Sequence, residues 1–258
     1  MTSPVEAGSE LPPVDARLVA PDSRYEIEDG RIRYVAPADE PHGTRHFILC
    51  ALLEAHVREE YAGACDMLTR TSKVDDMAPD ASVFPRARDP ETGGRRLEEL
   101  AFEIVSTEAL SDAGRKAQKL MNRGVRRVFA VDVSRQRALE WSTELASWRL
   151  LDPGGFIEDK TLAAALPLEA LVHAAKADDA IARALLAKHN PVLEGALAQK
   201  QLQGRAEGKA EALLRLLEKR GFILSAELRE RVSSCTDAEL LDRWFDRAVT
   251  ATTVDGVF

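Results

Sequence analysis

The run Leu-Ala-Phe-Glu-Ile-Val at residues 100–105 constrains the fold more than any other stretch of the chain. Apolar residues fill it on both sides of Glu103, which is typical of a strand buried on both faces of a sheet. A carboxylate in such a strand is costly to bury unless it is paired with a cation or bound to a metal ion. We therefore expect a central strand here, with a partner for Glu103 supplied from elsewhere in the chain.

A second carboxylate, Asp80, follows Pro79 and opens another short apolar run at residues 81–84. If the two strands are neighbours, Asp80 and Glu103 come together. Hydrolysis of a phosphodiester uses a hard divalent cation, and Mg²⁺ is usually held by one or two carboxylates and water. The two residues are therefore candidate metal ligands. The alternative is an aspartate in a surface turn and a glutamate in an edge strand.

Basic residues follow these carboxylates on a predicted helix at residues 111–123. Lys116 and Lys119 are three residues apart and so share a helix face, where an ammonium group could orient a water molecule or stabilise negative charge. A run of cations without an intervening acid contains Arg115, Lys116, Lys119, Arg123, Arg126 and Arg127. Arg115 and Arg123 are candidate phosphate-binding residues, and the alternative is a solvated helix face.

The surrounding pattern predicts an α/β (α+β) fold with a mixed central sheet flanked by helices. Asp29-Gly30 predicts a hairpin turn between two alternating strands. The next elements predicted are a helix from His42 to near Gly63, strands at 65–71, 81–84, 100–105 and 128–131, and a second hairpin within 138–151. The cationic loop at 85–96 is predicted to be mobile.

The chain is expected to divide into a disordered N-terminal arm at residues 1–20, a sheet domain at 21–172 and an all-α C-terminal extension at 173–258. Within the extension, Thr236 and Glu239 fit a capping box that opens the last helix.

Composition limits the classes of function. A net charge of −8 argues against a protein that coats nucleic acid, although it does not exclude a local basic groove. No apolar run approaches the roughly 20 residues that span a bilayer, and the first residues do not resemble a signal peptide, so we expect a cytoplasmic protein without a membrane partner. The three cysteines are far apart in the sequence, which predicts neither a disulfide framework nor a zinc site.

Several of these features occur together in a known family. Asp80, Glu103, the spacing from Asp112 to Lys116, Gly124-Val125 and the strand that ends at Asp132 resemble the Uma-type putative restriction endonuclease family of the PD-(D/E)XK nuclease superfamily. The similarity extends over residues 24–160. It implies a mixed sheet flanked by helices and a Mg²⁺-dependent nuclease site, with Mn²⁺ as the alternative ion and Asp80 and Glu103 as metal ligands.

The chain departs from the superfamily pattern at Val105, where a lysine normally stands two residues after the glutamate. In the Uma-type family a lysine on the next helix is common, and Lys116 fits this position better than Lys119. Glu26 is either a third carboxylate of the site or an exposed hairpin residue. His42 is expected in a supporting role, with His46 as the alternative, and neither is a preferred Mg²⁺ ligand because that ion prefers oxygen.

Two hypotheses of different kinds follow. In the first, the protein is a Mg²⁺-dependent endonuclease that acts on DNA through Asp80, Glu103 and Lys116. In the second, it is a nuclease-fold protein with weak or no activity that serves as a binding or assembly module through its helical tail. We expect a homodimer, because cutting two strands with one-metal sites often needs two copies. A hydrolase with a serine nucleophile finds no support, since Gly-x-Ser-x-Gly is missing.

Overall fold

A computed structural model describes residues 11–16, 18, 25–35, 37–106 and 110–258 of the chain. It divides into two compact units, one ending at Lys188 and the other running from His189 to Phe258. The first unit contains mixed sheets and helices, and the described part of the second contains helices alone. The predicted α+β class is therefore confirmed. No helix in the described ranges is long and apolar enough to cross a membrane.

The first unit is built on a six-stranded sheet. It also contains a four-stranded sheet and a two-stranded sheet. Its strands are β1 Tyr25–Glu28, β2 Arg31–Tyr34, β3 Tyr61–Cys65, β4 Thr69–Arg70, β5 Asp76–Met77, β6 Ala81–Pro85, β7 Leu100–Val105, β8 Arg127–Asp132, β9 Arg137–Ser142, β10 Ser147–Leu150, β11 Phe156–Ile157 and β12 Leu166–Pro167. Its helices are α1 Glu40–His56, α2 Leu110–Arg123, α3 Leu168–Val172 and α4 Ala177–Ala187.

Strand β7 lies inside the large sheet, whose order is β10-β9-β8-β7-β6-β3. It pairs parallel with β8 and antiparallel with β6, and all six of its residues are buried. The prediction of a central buried strand is confirmed. Since successive side chains of a strand point to opposite faces, Glu103 lies on the face opposite to Phe102 and Ile104.

The two main helices cover different faces of this sheet. Leu49 and Leu52 of α1 belong to the same buried cluster as Phe102 and Ile104. On the other side, Ala117 and Leu120 of α2 share a cluster with Ala101. Glu103 therefore faces α2, the helix that carries the predicted lysines.

The hairpin around Asp29-Gly30 is confirmed. Asp29 has φ 51° and Gly30 has φ 76°, so both turn residues occupy the left-handed region that a tight hairpin turn requires. The strand β1 of this hairpin also pairs with β5, which anchors the hairpin to the rest of the unit.

The sequence placed the end of the first helix wrongly. Helix α1 ends at His56, and Tyr61–Cys65 forms the edge strand β3 instead of continuing towards Gly63. The reason is tertiary pairing, because this segment aligns with β6 from Tyr61 opposite Pro85 to Cys65 opposite Ala81. Local propensity contains no information on that partner.

The sequence predicted no disulfide framework, and this is wrong for two of the three cysteines. Cys50 of α1 and Cys65 of β3 form a disulfide, with their Cα atoms 7.0 Å apart. Cys235, in the second unit, is free. The pairing could not be predicted from spacing, because it depends on β3 returning alongside α1.

Part of the predicted N-terminal arm lies against the sheet unit. The carbonyl of Val14 accepts the backbone N–H of Arg70 at 3.0 Å, and the Asp15 carboxylate accepts the backbone N–H of Arg95 at 2.9 Å. Arg95 is itself buried and pairs with Glu98 at 2.8 Å, so the end of the loop predicted to be mobile is held in place. Residues 1–10 lie outside the described ranges.

Helix α4 belongs to the first unit, although it follows residue 172, where the sequence placed the end of the sheet domain. Ala177 and Ala180 are buried in the same core cluster as Leu49 and Leu52 of α1. The first unit therefore extends to the end of this helix.

The second unit consists of α5 Pro191–Lys219, α6 Ala226–Ser233, α7 Ala238–Thr250 and a short 3₁₀ helix at Val254–Gly256. Its separate core includes Leu213, Leu217, Leu241 and Trp244. The predicted capping box at Thr236 is shifted by one residue. Asp237 is the N-cap of α7 and accepts the N–H groups of Glu239 and Leu240, both at 3.0 Å.

Candidate functional site

The two candidate metal ligands are brought together by the register of β6 and β7. Ala81 lies opposite Phe102 in this antiparallel pair, and extending the register by one residue places Asp80 opposite Glu103. Opposed residues of a strand pair point to the same face of the sheet, with their Cβ atoms about 5 Å apart. The backbone N–H of Ile104 donates to Asp80 Oδ2 at 2.6 Å, which fixes the aspartate at the start of β6.

Both carboxylates line a cleft of about 570 Å³. The cleft lies where the β1–β2 hairpin, the start of α1 and helix α2 surround the ends of β6 and β7. Its ionisable lining includes Glu26, Glu28, Arg33, Asp39, His42, His46, Asp66, Asp80, Glu103, Asp112 and Lys116.

Lys116 lies between two of these acids. Its Nζ atom is 2.9 Å from Glu26 Oε1 and 2.9 Å from Glu103 Oε2. Burial acts to lower the pKa of Lys116, but Glu103, Glu26 and Asp80 together raise it above its ordinary value. The group is therefore a permanent ammonium in the site.

Glu103 is the most deeply buried acid of the site, with its side chain 5% exposed. Desolvation raises its pKa well above the ordinary value, Lys116 opposes that shift, and Asp80 and Glu26 add to it. Oε2 contacts Lys116, whereas Oε1 is buried and has no hydrogen-bond partner among the described residues. Buried carboxylate oxygens are normally satisfied, so this atom is positioned to receive a cation.

Asp80 is held ionised in the same cleft. Burial acts to raise its pKa, but the hydrogen bond with His42 and the charge of Lys116 outweigh this effect and lower it. His42 Nε2 lies 3.4 Å from Asp80 Oδ1, and the pKa of His42 is raised by this carboxylate. His46 instead contacts the backbone carbonyl of Asp80 at 2.5 Å. His42 is thus the histidine that meets the carboxylate.

Glu26, for which the sequence left two alternatives, lies in the cleft. Its Oε1 accepts the backbone N–H of Ala78 at 2.9 Å in addition to its contact with Lys116. The side chain is 13% exposed, so the alternative of an exposed hairpin residue is wrong.

The surroundings of Val105, where the resemblance implies a lysine, are consistent with an ammonium that comes from α2. Val105 is buried with Ala113, Ala130 and Leu139 in an apolar cluster on the α2 side of the sheet. An ammonium at that position would need to displace apolar contacts. Lys116, one helical turn after Ala113, contacts Glu103 directly.

The other candidate cations do not line the cleft within the described part of the chain. Lys119 Nζ lies 2.8 Å from Asp29 Oδ1 and 2.6 Å from Asp75 Oδ1, so it ties the hairpin turn to the segment before β5. Arg115 pairs with Asp112 at 2.7 Å. Arg123 donates to the carbonyl of Pro12 at 2.7 Å. The geometry does not support phosphate-binding roles for Arg115 and Arg123.

The remaining cations of the basic run are also neutralised. Arg126 pairs with Glu99 at 2.6 Å and with Asp159 at 2.7 Å. Arg127 pairs with Glu140 at 2.7 Å and with Asp159 at 3.2 Å. Every member of the run except Arg123 is therefore paired with an acid, and Arg123 donates to a backbone carbonyl.

Tyr34 is among the lining residues that the sequence analysis did not single out. Tyr34, at the end of β2, is 77% exposed and lines the cleft. All four residues of β2 are exposed, so an aromatic ring in this strand has no core to join. The lack of alternation in burial along this strand is visible only in the structure.

Comparison with known proteins gives one family match. The model of the family Uma2, described as a putative restriction endonuclease, matches residues 10–171. A solved structure, that of a putative nuclease belonging to DUF820 from Anabaena variabilis, is 14% identical, with 57% of this chain and 88% of that chain covered and a TM-score of 0.48. A search of curated proteins finds no match.

Proposed function

The matched region spans more than half of the chain, so the chain belongs to the Uma2 family of putative restriction endonucleases, and we propose that it is a Mg²⁺-dependent endonuclease that hydrolyses phosphodiester bonds in DNA. The observation that carries this proposal is Glu103, a buried carboxylate with one oxygen free of hydrogen bonds among the described residues. It lines the same cleft as Asp80 and contacts the ammonium of Lys116 at 2.9 Å.

The donor set fits a hard cation. Asp80 and Glu103 offer carboxylate oxygens from adjacent strands, and Mg²⁺ and Mn²⁺ both accept such ligands. The two residues would hold the ion, with water completing its coordination. Bound there, it would polarise a phosphoryl oxygen and lower the pKa of an attacking water.

The chain's own residues complete the proposed mechanism. Lys116 keeps its proton and places positive charge where negative charge develops on the phosphoryl group. Glu26 fixes that ammonium through the 2.9 Å contact, and its own position is fixed by the Ala78 N–H. His42 orients the carboxylate of Asp80 from α1. Each group is held by a partner on another element, which favours a preorganised site.

Substrate contacts beyond Lys116 come from outside the basic run, because its other described members are paired with acids or a carbonyl. Tyr34 supplies one such contact, since aromatic rings stack on nucleobases with little regard to sequence. We place a base of the DNA substrate on this ring at the edge of the cleft.

The second candidate function is a nuclease-fold protein that serves as a binding or assembly module with weak or no activity. The neutralised basic run favours it, because affinity for DNA depends chiefly on cations that are free to contact phosphates. The two candidate functions predict different results in a cleavage assay. Only the endonuclease should cut DNA in a way that depends on Asp80 and Glu103.

The test is cleavage of supercoiled plasmid and of single-stranded DNA with Mg²⁺ or Mn²⁺. We expect cleavage by the wild type, its loss in Asp80→Asn and Glu103→Gln, and a decrease of about 10² to 10³-fold in Lys116→Met. Lys119→Met is the matched control, because Lys119 lies three residues further along α2 and is bound to Asp29 and Asp75. It should retain cleavage.

Melting curves of each variant establish that the fold is intact. Equal cleavage by wild type, Asp80→Asn and Glu103→Gln would refute this site. A folded wild type that leaves DNA uncut with both ions would favour the binding-module candidate.

A further inference from the structure

A second group of metal-binding side chains lies beside the cleft and has no part in the proposed mechanism. A ring nitrogen of His46 and the sulfur atoms of Cys50 and Cys65 all lie within 4.8 Å of one another. His46 and Cys50 are four residues apart on α1 and therefore share one helix face. Cys65 is the last residue of β3 and is exposed. Two elements thus present three donors to one point.

The hydrogen bond of His46 selects the tautomer of its neutral ring. Nε2 lies 2.5 Å from the backbone carbonyl oxygen of Asp80. A carbonyl oxygen only accepts hydrogen bonds, so in the neutral ring Nε2 carries the proton and Nδ1 keeps the lone pair. Histidines that bind metal ions usually donate their other ring N–H to a carboxylate or backbone carbonyl in this way. A neutral ring in this tautomer offers Nδ1 as a metal ligand.

The two sulfur atoms are joined as a disulfide in the structure, so they offer no thiolate. A dithiol reductant breaks the S–S bond by donating two electrons. Each cysteine then gains a proton, and the reductant becomes a cyclic disulfide. The reduced side chains remain on the same two elements, next to the same imidazole. Two thiolates and one imidazole form a donor set that Zn²⁺ and other thiophilic divalent ions prefer and that Mg²⁺ does not.

We propose that His46, Cys50 and Cys65, once the disulfide is reduced, bind one Zn²⁺ ion at a site separate from Asp80 and Glu103. Binding releases the thiol protons to solvent, and water occupies the fourth position of a tetrahedral ion. Because His46 is hydrogen bonded to Asp80, the bound ion holds the imidazole against the residue that precedes β6. The site does not depend on the proposed nuclease activity, since its ligands are different residues.

The experiment is a Co²⁺ titration of the full chain. Protein is reduced with dithiothreitol, the reductant is removed under nitrogen, and absorption from thiolate-to-cobalt charge transfer is recorded. The reduced wild type should show this absorption, with saturation at a single ion per chain, and added Zn²⁺ should abolish it. Excess Mg²⁺ should leave it unchanged, and protein that was not reduced should not develop it.

Cys65→Ser should lose the absorption, and Cys235→Ser is the matched control that should retain it, because Cys235 lies in the second unit. Melting curves verify the fold of both variants, and the comparison of reduced with unreduced wild type needs no variant. Reduced wild type without charge-transfer absorption would overturn the proposal. So would absorption that persists in Cys65→Ser, or that is equally strong before reduction.

Discussion

Glu103 and Lys116 form an ion pair that folding does not require. Removing two charges from water costs several kcal/mol for each ion, and well-packed apolar residues of similar volume are often as stable or more stable. Both side chains are nonetheless largely buried, at 5% and 16% exposure, and one oxygen of Glu103 has no hydrogen bond within the described chain. An arrangement this costly is better explained by chemistry than by stability, and it is the reason for the proposal that this cleft is the active site.

Tyr34 provides a prediction about substrate affinity. Replacing it with alanine removes the exposed ring at the cleft, and the loss of one stacked base should weaken binding of single-stranded DNA by about 1 kcal/mol, or roughly fivefold. Tyr34→Trp should preserve the affinity. The measurement is fluorescence anisotropy of a labelled oligonucleotide with Ca²⁺ in place of Mg²⁺.

Phe47 offers a matched control for that prediction. It is 79% exposed, close to the 77% of Tyr34, but it lies on α1 and does not line the cleft. Phe47→Ala should therefore leave the affinity unchanged. If both alanine variants weaken binding equally, the effect comes from general surface hydrophobicity and not from stacking at the cleft.

At the scale of elements, some contacts of α2 could be predicted from the sequence and others could not. The pairing of Glu103 with a lysine on this helix was predictable, because a carboxylate in an apolar strand needs a partner and the next helix carries two candidates. The neutralisation of its other cations was not predictable. Lys119 meets Asp29 and Asp75, which lie 90 and 44 residues away in the sequence. Such partners are fixed by the fold and leave no local pattern.

The N-terminus of α7 gives a prediction in which two neighbouring residues are compared. Asp237→Ala removes the side chain that accepts the N–H groups of Glu239 and Leu240, and it should lower the free energy of unfolding of the second unit by about 1 kcal/mol. Thr236→Ala, at the cap expected from the sequence, should change this free energy of unfolding by only a few tenths of a kcal/mol. Urea unfolding followed by circular dichroism measures the stability of both variants. A larger loss of stability in Thr236→Ala than in Asp237→Ala would contradict the cap at Asp237.

The ion pairs at the start of β8 predict a dependence of stability on pH. Asp159 is 1% exposed; burial acts to raise its pKa, but hydrogen bonds from Arg126 and Thr161 outweigh that effect and lower it from 3.8 to about 2. A lowered pKa in the folded state means that the ionised group stabilises the protein above its unfolded pKa. That stabilisation is lost as pH falls through about 2.

Asp159→Asn tests this dependence. Near pH 7 the variant should be less stable than the wild type by about 1 to 2 kcal/mol, after allowance for the partly exposed arginines. The difference should shrink as pH falls below about 4, because protonation removes the same charge from the wild type. Urea unfolding at a series of pH values measures it. Asp152→Asn, an exposed carboxylate of a nearby turn that accepts the Gly154 N–H, should show no such trend.

At the scale of the whole molecule, the sequence predicted the class of fold because strand and helix patterns are local, and β7, α2 and β8 appear close to their expected positions. It did not predict the docking of residues 11–16, where the Val14 carbonyl and the Asp15 carboxylate accept the backbone N–H groups of Arg70 and Arg95 far along the chain. The homodimer expected from the sequence stays a prediction. Sedimentation of the full chain tests it directly.

The end of the first unit yields a prediction about truncation. A chain that ends at Val172 lacks α4, whose Ala177, Ala180 and Ala184 are buried, and it exposes the apolar surface of α1 that they cover. It should aggregate or melt at a much lower temperature. A chain that ends at Lys188 keeps the whole of the core cluster around α1 and β7, and the separate core of the second unit lies entirely beyond residue 200. It should therefore fold and retain Mg²⁺-dependent cleavage.

Scanning calorimetry and the plasmid assay on both truncated chains measure these outcomes. The full chain should show two transitions if its two cores melt independently, and the chain ending at Lys188 should retain the one that belongs to the sheet unit. Equal stability of the two truncated chains would mean that α4 contributes little to the core, and the boundary at 172 would then be the better one. A folded chain ending at Lys188 that has lost cleavage would instead give the helical unit a part in catalysis.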